Sequence, residues 1–143
     1  MPEIAPWLIW AILSAIFAAI TAIFAKIGVQ NIDSTAATFI RTVIIGVILL
    51  GIVLARGAMP PLNSVSAKTY AFLILSGLAT GASWVCYFRA LQLGDAARVA
   101  PIDKFSVILV AIMGAAFLGE RLSPLNWVGV VVTSIGLLLV AMT

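Results

Sequence analysis

Charged side chains within long apolar segments are the candidates for a functional site in this sequence. Arg41 lies in one such segment, and Asp103 and Lys104 lie together in another. A charge at the centre of a bilayer costs about 2.5 to 3.5 kcal/mol on insertion scales, so such residues normally face a protein interior or a water-filled cavity. We therefore predict that Arg41, Asp103 and Lys104 line a polar substrate-binding cavity. The alternative for Asp103 is a structural role, in which it only neutralises Arg41 or Lys104.

The depth of these charges follows from the helical rise of about 1.5 Å per residue. A helix that begins near Ser34 places Arg41 roughly 10 Å inside it, and one that begins near Asp95 places Asp103 and Lys104 roughly 12 to 14 Å inside. Pro101 lies in the same helix, where it lacks the N–H for one backbone hydrogen bond and leaves a carbonyl free. We predict a helix break at Pro101, beside the binding site.

Trp84 and Tyr87 differ from the other aromatic residues because they lie deep within an apolar segment. Trp and Tyr more often mark the two membrane interfaces, and a buried indole N–H or phenol O–H needs a partner. We predict that both residues bind the substrate, Tyr87 by a hydrogen bond and Trp84 by packing on its apolar part. Packing into a neighbouring helix is the alternative.

Three further cations, Lys26, Arg89 and Arg98, lie close to segment ends. They either form the cavity entrance or anchor the chain by reaching to the headgroups. Lys26, Arg41, Arg89 and Lys104 give the membrane side opposite the N-terminus an excess of positive charge over Asp103. This excess favours a substrate with a carboxylate, a phosphate or zwitterionic groups over a lipophilic cation.

The elements that position these residues are predicted from composition and run length. The 143 residues are 64% hydrophobic and 9% charged, whereas about a quarter of the residues of a soluble domain are charged. Apolar runs of about 20 residues match the hydrocarbon core of a bilayer. We predict an all-α integral membrane protein with one domain, residues 1–143, and five spans at about residues 6–28, 35–55, 69–93, 96–118 and 124–142.

Local signals mark the ends of the spans. Asp33 or Ser34 is the expected N-cap of the second span, and Asp95 that of the fourth. Gly94 is expected to stop the third span in the left-handed conformation. Glu3 stands where a signal peptide would have basic residues, so the first span is expected to remain in the protein.

Several function classes are disfavoured by the residues that are scarce. The sequence has no histidine and one cysteine, Cys86, and it shows no nucleophile with a base, no metal cluster and no phosphate loop. We expect no enzyme activity, no cofactor and no metal. Its basic residues are dispersed, so nucleic acid is not an expected partner. The expected partners are the lipid bilayer and a small-molecule substrate.

The distribution of loop charges bears on orientation. The side that holds the N-terminus receives Arg56, Lys68 and Arg121, against three loop cations on the other side, or five if Arg41 and Lys104 count. This bias is weak under the positive-inside rule. One interpretation is insertion in both orientations, with two copies paired head to tail as an inverted repeat. The other is a fixed orientation with the more positive side cytoplasmic.

The second half of the chain carries a series of family motifs. They are an A-L-x-x-G turn (Ala90, Leu91, Gly94), a V-A-P-I helix entry (Val99 to Ile102), an L-G-E close (Leu118 to Glu120) and a glycine-bearing last helix (Gly129, Gly136). In these motifs the chain resembles the EamA repeat of the drug/metabolite transporter superfamily, over about residues 6–142. Most members carry two inverted repeats and move metabolites such as amino acids. This chain has one repeat, like the five-helix bacterial and archaeal branch. The resemblance therefore implies an antiparallel homodimer in the prokaryotic cytoplasmic (inner) membrane.

The related small multidrug resistance branch carries an embedded glutamate in its first helix. The first span here has no acid, which makes cation export by that mechanism doubtful, and Asp103 is the deep acid left to carry a proton. We predict a small secondary transporter that moves a small polar, anionic or zwitterionic, metabolite by alternating access. The alternatives are a non-transporting membrane accessory or assembly subunit and a flippase for a lipid-linked anionic headgroup.

Overall fold

The chain is α-helical throughout its ordered elements. A computed structural model describes residues 6–61 and 64–142, so Glu3 lies outside the described residues. The helices are α1 (Pro6–Gly28), α2 (Ser34–Arg56), α3 (Ala67–Leu93), α4 (Ala96–Asp103), α5 (Ser106–Phe117) and α6 (Pro124–Met142). With α4 and α5 taken as one segment, five helical segments are long and apolar enough to cross a membrane. The prediction of an all-α integral membrane protein with five spans is confirmed.

Helix α2 is bounded by a polar cap and a glycine. Asp33 is the N-cap, and its carboxylate accepts hydrogen bonds from the backbone N–H groups of Thr35 at 2.9 Å and Ala36 at 3.1 Å. At the other end Gly57 adopts a left-handed φ of 57°, and its N–H donates to the carbonyl of Leu54. A side chain at this φ would be strained, which explains the glycine at this helix end.

The end of α3 differs from the sequence expectation at Gly94. Among the described residues, the glycines with positive φ are Gly57 and Gly119, so the left-handed conformation expected for Gly94 is wrong. Its carbonyl oxygen instead accepts a 2.8 Å hydrogen bond from Nζ of Lys26. This hydrogen bond ties the residue that follows α3 to Lys26.

The fourth span is interrupted between α4 and α5. Pro101 lies inside α4, and regular helix stops at Asp103 and resumes at Ser106. The N–H groups of Phe105 and Val107 bond to carbonyls three residues earlier, at Ile102 and Lys104. The backbone hydrogen bonds after the proline therefore include the three-residue spacing of a 3₁₀-helix. The missing N–H of Pro101 already weakens the preceding turn.

The connection from α5 to α6 is a short turn. Gly119 has a φ of 68°, a conformation that favours glycine, and the Glu120 carboxylate folds back toward buried Gly114. A Cβ added at Gly114 would lie 2.7 Å from Oε2 of Glu120, so this glycine leaves room for the carboxylate. Helix α6 then begins at Pro124, with Oγ of Ser123 accepting the N–H of Asn126.

The chain forms two compact units. One contains residues Ile27–Gln92, and its buried apolar side chains are Val29, Phe88 and Leu91. The other contains α1 up to Lys26 together with the chain from Leu93, and in it both α4 and α5 pack against α6. Most large apolar side chains of the spans are exposed to the surroundings of the chain, as expected where lipid is the solvent.

Candidate functional site

Arg41 lies over an aromatic surface of α3. Its guanidinium carbon is 3.6 Å from the centroid of the Trp84 ring and 5.5 Å from that of Phe88. Trp84 and Phe88 are four residues apart, so they share one face of their helix. A cation stacked on a Trp face is attracted by the ring quadrupole, by about 2 kcal/mol or more where water is excluded. The structure thus brings together two of the predicted site residues, Arg41 and Trp84.

Arg41 has an aromatic neighbour rather than a described acidic one. A guanidinium presents its five N–H donors in its own plane, and this geometry matches a carboxylate or phosphate bidentately. The ion pair found among residues 6–61 and 64–142 joins Lys104 and Asp103, so no described acid neutralises Arg41. The arrangement can therefore hold an external anion.

Tyr87 and Phe88 extend this aromatic surface. Their ring centroids are 6.4 Å apart at an angle of 43°, and Tyr87 is half-buried. Phe88, which is 3% exposed, was not predicted as a site residue. Its position one helical turn after Trp84 could have indicated a shared face. A phenylalanine in an apolar span, however, cannot be told from lipid-facing residues by its type alone.

Asp103 and Lys104 form an ion pair at the end of α4. Nζ of Lys104 lies 3.3 Å from Oδ2 of Asp103, and the two side chains are 52% and 36% exposed, respectively. Of the two cations that could neutralise Asp103, the structure pairs it with Lys104. This pair belongs to a different compact unit from Arg41 and Trp84.

The three cations near span ends all donate to the protein. Nζ of Lys26 bonds to the Gly94 carbonyl, and Nε of Arg98 donates to the Ala141 carbonyl at 3.4 Å. Arg89 donates to Oε1 of Gln92 at 3.2 Å. Ala141 lies in the last turn of α6, where carbonyls lack helical partners and a cation is favourable. These contacts stabilise helix ends.

Gln92 is a polar residue that sequence reasoning missed. Its Nε2 donates to the carbonyls of Val29 at 2.9 Å and Ile32 at 2.7 Å, while its Oε1 accepts from Arg89. The Nε2 group of Gln92 thus makes two hydrogen bonds and its Oε1 accepts one. The two Nε2 bonds join the end of α3 to the connection between α1 and α2. An amide in an apolar span was the available signal, but its partners are 60 or more residues away in the chain.

Asp33 lies outside the spans, at the N-terminus of α2, where its carboxylate accepts two backbone hydrogen bonds. The backbone N–H groups of Ala36 and Thr35 hydrogen-bond the carboxylate and hold the pKa of Asp33 below its usual value. The positive charge of Arg89 acts in the same direction, more weakly. The ionised form is stabilised because both N–H donors belong to the first turn of a helix.

The described residues contain no group of three or more His, Cys, Asp or Glu side chains that could hold a metal ion. The predicted site residues form two separate groups, an arginine over an aromatic surface in one compact unit and a lysine–aspartate pair in the other.

Comparison with known proteins identifies the family. Residues 5–142 match the model of the EamA-like transporter family. A relative from Sinorhizobium sp., named "Uncharacterized transporter in cobO 3'region", is 56% identical over 135 residues, which are 94% of this chain and 96% of the relative. No solved structure matches the chain significantly. These matches support a transporter role, and the chain belongs to the EamA-like transporter family.

Proposed function

We propose that this protein is a secondary transporter that moves a small anionic or zwitterionic metabolite across the cytoplasmic membrane by alternating access. The observation that carries the proposal is the Arg41 guanidinium, which lies within a membrane-spanning helix and stacks at 3.6 Å on Trp84. A cation at this depth is costly unless it faces a polar cavity or a partner charge. A substrate carboxylate or phosphate supplies that charge.

The other residues have complementary roles in this proposal. Lys104 is a second anion-binding cation, and Asp103 is its partner when substrate is absent. Tyr87 donates a hydrogen bond to the substrate, and Trp84 packs on its apolar part while holding Arg41 in place. Pro101 disturbs the helix that carries Asp103 and Lys104, which favours a change of shape at this point during transport.

We further propose that residues 1–143 act as one repeat and that two copies pair in antiparallel orientation. A single repeat in a family of transporters and the weak bias of the loop charges support this assembly. The second copy would supply the inverted half on which many secondary transporters are built. Its residues would complete the binding site at the repeat interface.

The test is uptake by purified protein in proteoliposomes. Radiolabelled pyruvate, gluconate, glycine, L-serine and L-glutamate serve as carboxylate probes, and tetraphenylphosphonium serves as the lipophilic cation. We expect uptake of at least one carboxylate and none of the cation. Arg41→Lys should raise the KM for that carboxylate roughly 10- to 100-fold, since a lysine cannot reproduce the bidentate hydrogen bonds of a stacked arginine.

The matched control is Arg56→Lys, the same change at the last residue of the same helix. It should leave KM unchanged. Uptake of tetraphenylphosphonium alone, or an Arg41→Lys variant with the KM of the wild type, would contradict the proposal. Transfer of a fluorescent phosphate-headgroup lipid without carboxylate uptake would favour the flippase. Inactivity together with a copurifying partner at constant stoichiometry would favour an accessory subunit.

A further inference from the structure

We infer that the Asp103–Lys104 pair is a proton-coupling site at which the substrate carboxylate and Asp103 compete for Lys104. The inference rests on the proposed function, since it assumes that Lys104 receives the anionic group of the substrate. When Asp103 takes up a proton, its hold on Lys104 is lost and the ammonium binds the substrate carboxylate instead. One proton and one carboxylate then bind together.

The geometry of the pair suits an exchange of partners. Nζ of Lys104 and Oδ2 of Asp103 are 3.3 Å apart, yet the side chains remain 52% and 36% exposed. The pair lies where regular helix stops after Asp103 and resumes at Ser106. A half-exposed pair inside a membrane span must meet water or a polar ligand, because hydrocarbon would leave it poorly solvated. Lys104 can therefore be reached by a substrate without displacing a packed side chain.

The surrounding charges leave Asp103 as the acid that controls Lys104. Helices α5 and α6 carry no ionisable side chains between Ser106 and Phe117 or between Pro124 and Met142. On α4 itself, Arg98 donates to the Ala141 carbonyl and Asp95 stands at the N-cap, two turns away. Lys26, in the same unit, donates to the Gly94 carbonyl.

Charge balance favours joint binding of the proton and the anion. In the empty site the Asp103 carboxylate and the Lys104 ammonium sum to zero. With Asp103 protonated and a substrate carboxylate on the ammonium, the sum is again zero. Binding either one alone would leave an uncompensated charge within the span, which is costly. By thermodynamic linkage, each therefore raises the affinity of the site for the other.

The test measures proton movement that depends on substrate. Proteoliposomes loaded with the pH dye pyranine and held at zero membrane potential with potassium and valinomycin receive the same five carboxylates, with protein-free vesicles as the baseline. Wild-type protein should acidify the lumen when a transported carboxylate is added. Asp103→Asn should lower the ratio of lumen acidification to uptake of labelled substrate at least tenfold.

The control is Asp95→Asn, which changes an acid at the start of the same helix and should acidify like the wild type. An Asp103→Asn variant that acidifies like the wild type would overturn the coupling inference, and so would wild-type uptake without acidification. In both cases the proposed function would stand, because uptake is measured separately. Absence of uptake of every carboxylate by the wild type would overturn the proposed function and the inference together.

Discussion

Arg41 is a charged residue within a span that has a stabilising aromatic contact. Its guanidinium carbon lies 3.6 Å from the centroid of the Trp84 ring and 5.5 Å from that of Phe88. The contact reduces the cost of the charge within the span, since the aromatic surface replaces part of its solvation. In the proposed function its N–H groups bind the anionic substrate bidentately, which a lysine cannot do.

Asp33 gives a prediction for pH dependence at the residue scale. Its pKa is lowered in the folded state by the N–H groups of Ala36 and Thr35. A lowered folded pKa means that the stabilisation is present above the unfolded value, about 3.9, and is lost as pH falls through the folded value. Asp33→Asn should therefore lower the thermal unfolding temperature at neutral pH, and the difference from wild type should shrink below about pH 4.

Circular dichroism melts in detergent at both pH values measure this difference. Asp95→Asn is the matched control, because Asp95 is also an N-cap residue but makes no side-chain capping bond. It should show no such pH-dependent gap. If both variants differed from the wild type by the same unfolding temperature at neutral and at acidic pH, the role assigned to the Asp33 carboxylate would be contradicted.

At the scale of elements, the side-chain amide of Gln92 links the end of α3 to the connection between α1 and α2. Both of its N–H groups donate to carbonyls of that connection, at Val29 and Ile32. The start of α2 follows directly at Ser34, and Arg41 lies two turns further on. The link therefore contributes to the register of α2 against α3 on which the Arg41–Trp84 stack depends.

Gln92→Leu should weaken this part of the fold. It removes two hydrogen bonds to Val29 and Ile32, and the free energy of unfolding should fall by about 1 to 3 kcal/mol. Reversible unfolding in mixed detergent measures this change, and hydrogen exchange should rise in the connection between α1 and α2. Gln30→Leu, the same change at an exposed position in that connection, is the control. Equal losses for the two variants would contradict the link.

At the scale of the whole molecule, a chain with almost all of its large apolar side chains exposed relies on lipid or on another copy to cover them. The loop cations provide little preference for one orientation. Lys26 and Arg98 also donate hydrogen bonds to backbone carbonyls at helix ends, so these two cations have structural partners.

Dual insertion is the prediction at this scale. Reporters that are active in the cytoplasm or in the periplasm, fused after Thr143 in a bacterial host, should both be active. Ala58→Lys with Ser66→Lys adds positive charge to the connection between α2 and α3, and should leave only the periplasmic reporter active, since that connection then stays cytoplasmic. Ala58→Gln with Ser66→Gln is the neutral control. A single active reporter in the unmodified chain would contradict an antiparallel pair.

The helical class and the number of spans could be predicted from the sequence, because run length and apolar composition indicate whether a helix can cross a bilayer. The sequence also limited the N-cap of the second span to Asp33 or Ser34 and marked Arg41 as an embedded charge, since these depend on the residue and its immediate neighbours. Family membership was likewise visible in local motifs, from the turn at Ala90 to the close at Glu120.

The tertiary structure alone decided which distant groups meet. That Arg41 stacks on Trp84 and that Gln92 reaches Val29 and Ile32 depends on how α2 and α3 pack, and residues 43 to 63 positions apart leave no periodic signal for such contacts. The left-handed conformation expected for Gly94 was wrong. Its carbonyl accepts a hydrogen bond from Lys26, 68 residues away, a contact that no local pattern in the sequence could show.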